Sequence, residues 1–128
     1  MSSAANAANG RTEQGSEGGR GRGPNRVLVV DENPEDQHTL EVYLRSTGAI
    51  VDTAMHGLDA LNKIGDARIE ERPYALIVTE MDMHEMDGAT LVHLVRHRGL
   101  TLPILAVTNC VADGDREKCL DVGCTDYL

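Results

Sequence analysis

Three carboxylate residues stand at the ends of two apolar runs and could together bind a cation. Asp31 and Glu32 follow the run at 27–30, and Glu80 follows a second run that ends at Thr79. In a parallel sheet, the residues just after each strand meet at one edge, where ligands bind. Carboxylates brought that close repel one another unless a cation or proton intervenes, and oxygen ligands suit Mg²⁺. The alternative, that each is solvated or caps the next helix, holds better for any one residue than for all three.

These carboxylates are positioned by a chain in which short apolar runs alternate with helical patterns. Continuous apolar runs are typical of parallel strands that are buried on both faces. Asn33 followed by Pro34 supplies an N-cap and a first-turn proline. We predict strands at 27–30, 49–54, 74–79, 102–108 and 124–128, and helices at 34–46, around the stripe Leu58, Leu61 and Ile64, at 89–97 and at 115–122. This βαβαβαβαβ order predicts an α/β fold with a doubly wound parallel sheet.

Charge and composition divide the 128-residue chain near residue 26. Residues 1–26 carry four arginines against two glutamates and hold six of the 13 glycines, whereas 27–128 carry 8 basic against 19 acidic residues. Such an acidic body repels phosphate backbones, which argues against nucleic acid as a partner. Residues 1–25 have no hydrophobic period and are predicted to be a flexible tail or linker. A more distant interpretation makes the GGRGRG stretch at 18–23 a single-strand nucleic-acid contact.

The lengths of the apolar runs and the number of cysteines bear on the cellular compartment. No apolar run approaches the ~18–20 residues that span a bilayer, so we expect no membrane insertion. The three cysteines Cys110, Cys119 and Cys124 are an odd number for a disulfide framework. We therefore expect reduced thiols and a cytoplasmic location.

Three segments, in order and at matching spacing, resemble the receiver domain of bacterial response regulators and hybrid histidine kinases. They are VLVVDENPED at 27–36, LIVTEMDMHEMDG at 76–88 and LPILAVTNCVADGDREKCLDVGCTDYL at 102–128. On this resemblance, residues 26–128 are predicted to form one receiver-like domain. It implies a five-stranded flavodoxin-like fold with strand order 2-1-3-4-5. It also implies a histidine kinase, a phosphotransfer protein or an output domain as the partner.

The resemblance assigns further roles at the edge of the sheet. Asp31 and Glu32 match the acidic pair that holds Mg²⁺, and Asp82 matches the position whose backbone carbonyl is a further metal ligand. Thr108 matches the hydroxyl that turns toward the phosphoryl group, and Tyr127 matches the switch aromatic that moves with it. Together with Glu80, these residues are the predicted site.

Departures from the family's pattern decide the predicted function. Counting back from Met-Asp-Gly at 86–88, the phosphoacceptor position is Glu80, where the family has Asp, and His84 stands where Pro is expected. Glu is one methylene longer, so its carboxylate is misplaced for in-line phosphoryl transfer. Its charge instead reaches toward the place that a phosphoryl oxygen would occupy. We predict a degenerate receiver, not an enzyme, in which Glu80 mimics the phosphorylated state and Mg²⁺ binding is weakened. The alternative is a working phosphoacceptor that takes a phosphoryl group from a histidine kinase with Mg²⁺, on Glu80 or on Asp82.

The C-terminal end also departs from the pattern. The sequence stops at Leu128, two positions before the expected Lys, the Pro that follows it and the last helix. In this topology the first and last helices cover the same face of the sheet. We therefore expect an uncovered apolar face, through which the chain forms a homodimer or binds a partner.

Overall fold

In a computed structural model of the protein, parallel strands form a sheet with helices packed on both faces. The structure describes residues 25–107 and 115–127. The elements are β1 (Arg26–Val30), α1 (Pro34–Ser46), β2 (Ile50–Ala54), α2 (Gly57–Ile69), β3 (Leu76–Glu80), α3 (Gly88–His97), β4 (Ile104–Val107), α4 (Asp115–Val122) and β5 (Asp126–Tyr127). Parallel pairing in the order β2-β1-β3-β4 confirms the predicted doubly wound fold for these four strands.

The far edge of the sheet is shorter than predicted. Beyond β4, Asp126 and Tyr127 pair with Leu105 and Ala106, so two residues represent the fifth strand. A full strand over 124–128 stays a prediction. Residues 1–24 of the predicted tail, Thr108 and Cys110 lie outside the described residues.

Local signals account for α1. The Asn33 side chain accepts hydrogen bonds from the backbone N–H groups of Glu35 (2.9 Å) and Asp36 (3.1 Å), which satisfies two donors at the start of the helix. Pro34 occupies the first helical position. After the helix, Gly48 adopts a φ of +94°, which a side chain would disfavour. The predicted helix over 34–46 is confirmed.

Alternate residues of each strand are buried on opposite faces of the sheet. Val27 and Val29 lie beneath α1, where Leu40 and Leu44 pack on them. Leu28 is fully buried on the other face, under α2 and α3. The larger core on that face includes Val30, Ile64, Ile77, Leu91, Val92, Val95 and Ile104. These strands therefore have apolar residues on both sides, as the continuous runs predicted.

Several details of the sequence prediction are wrong. Leu58 is 58 % exposed, whereas Leu61 and Ile64 of the predicted stripe are buried together with Ala60 and Ala67. The third strand begins at Leu76 rather than at residue 74, and the fourth begins at Ile104 rather than at residue 102.

Tyr74 precedes β3 and belongs to a polar network at the start of the sheet. Its hydroxyl donates to Asp52 Oδ2 at 2.6 Å, and Arg26 donates to the same oxygen at 2.7 Å. The Arg26 guanidinium also lies 4.7 Å from the Tyr74 ring centroid. Burial, and then the hydrogen bond to Asp52, raise the pKa of Tyr74. Although burial alone would raise the pKa of Asp52, hydrogen bonds from Tyr74 and Arg26 hold it below its usual value of 3.8.

β2 lies at one edge of the sheet, and cationic side chains cover that edge. Ile50 N–H donates to the Asn25 carbonyl just before β1, and the Ala54 carbonyl accepts the N–H of Asp31 just after β1, so the carbonyls of Val51 and Thr53 point outward. Arg45 donates to the Val51 carbonyl at 3.2 Å, and Lys63 donates to the Thr53 carbonyl. A cavity of about 410 Å³ lies beside this edge, away from the carboxylates of the predicted site.

The other features of the described chain concern membranes and thiols. Between residues 25 and 107 and between 115 and 127, no helix combines the length and the apolar character needed to cross a bilayer. The Cys124 side chain is buried in the core beneath α2 and α3. Its burial fits the packing of a small apolar side chain.

Candidate functional site

The ends of β1 and β3 bring two of the predicted carboxylates to one edge of the sheet. Val30 and Thr79 are register partners in adjacent parallel strands, and Asp31 and Glu80 are the residues that follow them. Both acidic residues are buried, with 4 % of Asp31 and 8 % of Glu80 exposed. Burying carboxylates is costly unless hydrogen bonds compensate, so the partners of each one define what the site can do.

Asp31 is held against the start of α1. One of its carboxylate oxygens accepts the Asn33 backbone N–H at 2.9 Å. Burial raises the pKa of Asp31, the Asn33 hydrogen bond opposes that rise, and the charges of Asp36 and Glu32 add to it. The negative charge on Asp31 is therefore destabilised by its surroundings, as expected of a group that gains from a nearby cation.

Glu80 turns back toward the loop that follows it. Its Oε1 accepts backbone N–H groups from Met81 at 3.1 Å and from Asp82 at 3.0 Å. The Glu80 carboxylate is thereby held toward the start of this loop. A carboxylate that accepts two amides is fixed in direction and stabilised in its charged form.

Glu32 bonds to the same loop, at His84. It accepts the backbone N–H of His84 at 2.9 Å, and its Oε2 lies 2.7 Å from His84 Nδ1. The hydrogen bond from the His84 side chain lowers the pKa of Glu32, and the same bond raises the pKa of His84. His84 is 93 % exposed, so this pair lies at the rim of the site in water.

The hydrogen bonds of the carboxylates indicate whether this arrangement fits Mg²⁺. The donor chemistry is right, since carboxylate oxygens are the ligands that the ion prefers. The placement is wrong, because Glu32 is bonded to His84 and Glu80 to two backbone amides. Over the described ranges, no group of three His, Cys, Asp or Glu side chains is placed to hold a metal ion. In this arrangement, therefore, the carboxylates do not fit the ion.

The remaining predicted residues are only partly described. The Asp82 side chain is exposed, and its backbone N–H is the one that Glu80 accepts. Tyr127 lies in β5, opposite Ala106. Thr108 is outside the described residues, so its predicted role and that of Tyr127 stay predictions.

The loop from Met81 to Asp87 is closed by Gly88, a residue whose role the sequence did not indicate. Its N–H donates to the Met81 carbonyl at 3.0 Å. A Cβ at Gly88 would lie 2.6 Å from the Glu80 carbonyl oxygen and 2.7 Å from Met81 Cα. Asp87 then caps α3 by accepting the Thr90 N–H at 2.8 Å. A glycine at position 88 therefore lets the chain pass close to the backbone of Glu80 and Met81.

The contact between His84 and Glu32 was also missed. The two residues are 52 positions apart, and local periodicity carries no signal for such a pair. The substitution at position 84 was visible in the sequence, but its partner was not. A cavity of about 210 Å³ beside the pair is lined by Glu32, Met55, His56, Met83, His84 and Glu85.

Residues 27–128 match the response regulator receiver domain family. The chain is similar to the transcriptional regulatory protein TctD of Salmonella typhimurium, with 41% identity over 103 residues that cover 80% of this chain and 44% of TctD. It is also similar to the sensor histidine kinase RcsC of Escherichia coli, with 34% identity over 102 residues that cover 80% of this chain and 10% of RcsC.

A solved structure gives the same fold. The chemotaxis protein CheY4 of Vibrio cholerae superposes with a TM-score of 0.74 at 28% identity, covering 82% of this chain and 85% of CheY4. The similarity therefore covers most of both chains. By contrast, the chain spans less than half of TctD and a tenth of RcsC.

Proposed function

The chain belongs to the response regulator receiver domain family, and on that premise we propose that it is a degenerate receiver. Receiver domains act in two-component phosphorelay signalling. In the proposed function, this one works as a protein-interaction module independently of phosphorylation. Glu80, at the phosphoacceptor position, mimics the phosphorylated state by its negative charge.

One observation carries this proposal, the direction of the Glu80 carboxylate. The side chain is nearly buried, and one of its oxygens accepts the N–H groups of Met81 and Asp82. In-line phosphoryl transfer requires the nucleophilic oxygen to face the donor in a narrow range of positions. Turning outward would break two charge-assisted hydrogen bonds. The arrangement therefore supports a fixed charge rather than an acceptor.

The metal and the switch residues belong to the same proposal. Receiver domains bind Mg²⁺ in general. Here the residues that would hold it are Asp31, Glu32, Glu80 and the Asp82 backbone carbonyl. Because two of the carboxylates are engaged elsewhere, we propose that Mg²⁺ binding is weak. Thr108 and Tyr127 are proposed to keep their roles as switch residues.

The proposed partners follow from the family. They are a histidine kinase or phosphotransfer protein, an output domain, or both, in the cytoplasm. A homodimer is a further candidate, through the face where Leu76, Leu105 and Val107 are only partly buried. We propose that a complete domain has the full five-stranded order 2-1-3-4-5 and that residues 1–25 are a linker.

The alternative, a working phosphoacceptor, is decided by mass spectrometry. The chain is incubated with acetyl phosphate and Mg²⁺, and its intact mass is measured beside that of the Glu80→Gln and Glu80→Asp variants. We expect the wild-type chain to gain no phosphoryl group. A phosphoryl adduct on the wild-type chain that disappears in Glu80→Gln would establish the alternative. An adduct on Glu80→Asp alone would show that the missing function lies in the length of this one side chain.

A further inference from the structure

The most specific contact at the site joins the Met81–Asp87 loop to the end of β1. His84 makes it twice, through its backbone N–H at 2.9 Å and through its ring Nδ1 at 2.7 Å from Glu32 Oε2. The two carboxylate oxygens of Glu32 are thereby both engaged by one residue.

The identity of residue 84 is what makes this contact available. Proline, expected there from the resemblance, has neither a backbone N–H nor an imidazole ring, so it could form neither hydrogen bond. Glu32 would then be held by no residue of the loop. The His-for-Pro departure therefore changes what the second residue of the acidic pair can bind.

We propose that His84 closes the acidic edge to Mg²⁺ by engaging Glu32, and so acts as a specificity-determining residue of this chain. A Mg²⁺ ion holds its ligands at ~2.0–2.1 Å in near-ideal octahedral geometry. Glu32 must give up its hydrogen bonds to His84 to meet that geometry. The inference rests on the proposed degenerate function and names the contact that contributes to it.

Three features of the site agree with this assignment. Asp31, the other member of the pair, stays buried with a backbone hydrogen bond that an ion could supplement. Glu80 is bonded to its own loop, so Glu32 is the carboxylate whose release adds a ligand. The His84 side chain is almost fully exposed, so its replacement removes no core packing.

The test is a Mg²⁺ titration of the full chain, in which binding is monitored through the NMR signals of the Asn33, Met81 and Asp82 amides. Wild type is compared with His84→Ala and with His84→Gln, which keeps a side-chain donor. The matched control is His93→Ala, which removes an exposed histidine on α3. Removing one exposed charge-assisted contact is worth a few-fold in affinity, so we expect His84→Ala to bind Mg²⁺ about three- to tenfold more tightly. His84→Gln should gain less, and His93→Ala should match wild type.

The outcomes separate this inference from the proposed function. Equal Mg²⁺ affinity in His84→Ala and wild type, or an equal gain in His93→Ala, would overturn the role of His84. The role of His84 would also be overturned if wild type bound Mg²⁺ while its His84 ring signals stayed unchanged. The contact between His84 and Glu32 would then persist in the metal-bound site. A phosphoryl adduct on wild type, with the His84→Ala gain intact, would overturn the proposed function alone. If His84→Ala unfolds, the comparison is made with His84→Gln and with the wild-type ring signals.

Discussion

The stability of a Gly88→Ala variant tests whether the missing side chain at position 88 determines how the loop passes Glu80. In Gly88→Ala, the new Cβ would lie 2.6 Å from the Glu80 carbonyl oxygen, 2.6 Å from Met81 Sδ and 2.7 Å from Met81 Cα. Two of these atoms belong to the backbone, so no change of rotamer relieves the overlap. Overpacking costs about 1–3 kcal/mol or more, and fixed backbone places this site at the upper end. Replacing a helical Gly by Ala returns at most about 1 kcal/mol.

The expected net effect of Gly88→Ala is a loss of about 2 kcal/mol in the free energy of unfolding, or roughly 10 °C in melting temperature. Gly65→Ala is the matched control, because Gly65 also lies in a helix and a Cβ there meets nothing within 4 Å. That control should gain about 0.5–1 kcal/mol. Both values come from urea unfolding with a constant m-value. If the two variants proved equally stable, the close approach of Gly88 to the Glu80 backbone would not constrain the loop.

Three further substitutions test other parts of the fold. Leu28→Ala removes a fully buried core side chain and should cost about 3 kcal/mol in urea unfolding, whereas a loss below about 1 kcal/mol would contradict its packing. Asn33→Ala leaves the Glu35 and Asp36 amides without their acceptor and should cost about 1 kcal/mol, most of which Asn33→Ser should restore. Asp52→Asn tests a lowered pKa: the stabilisation from Asp52 is present above its unfolded value of 3.8 and is lost as pH falls through the lower folded value. The stability gap between wild type and Asp52→Asn should therefore be larger at pH 7 than at about pH 2–3; a constant gap would refute the charge-based account.

The sequence predicted an element best where the residues that determine its boundary lie next to it in the chain. Asn33 and Pro34 fix the start of α1 through bonds to residues two and three positions away, so that boundary was correct. The predicted stripe of α2 was correct for Leu61 and Ile64 but wrong for Leu58, which lies in solvent. The small residues Ala60 and Ala67, which the stripe did not include, complete the buried face.

Long-range contacts account for the rest of what the sequence did not predict. The position of Asp31 and Glu80 at neighbouring strand ends followed from the topology alone. Their hydrogen-bond partners did not, since Glu32 meets His84 across 52 residues. Tyr74 was included in the third strand, but it precedes β3, and its partners Asp52 and Arg26 lie on β2 and β1. Such pairs depend on the folded arrangement, and no local pattern encodes them.

The covered edge of β2 has a consequence for how the protein behaves in concentrated solution and during synthesis. An unpaired edge is a template on which another chain can nucleate a shared sheet, a route to aggregates. Here an incoming strand would have to displace both Arg45 and Lys63 before it could reach the Val51 and Thr53 carbonyls. Each displacement would leave a cation to be resolvated, and Arg45 would also be drawn from its ion pair with Glu41. Growth of the sheet is thus obstructed on the β2 side, which makes this end of the domain a barrier against templated aggregation.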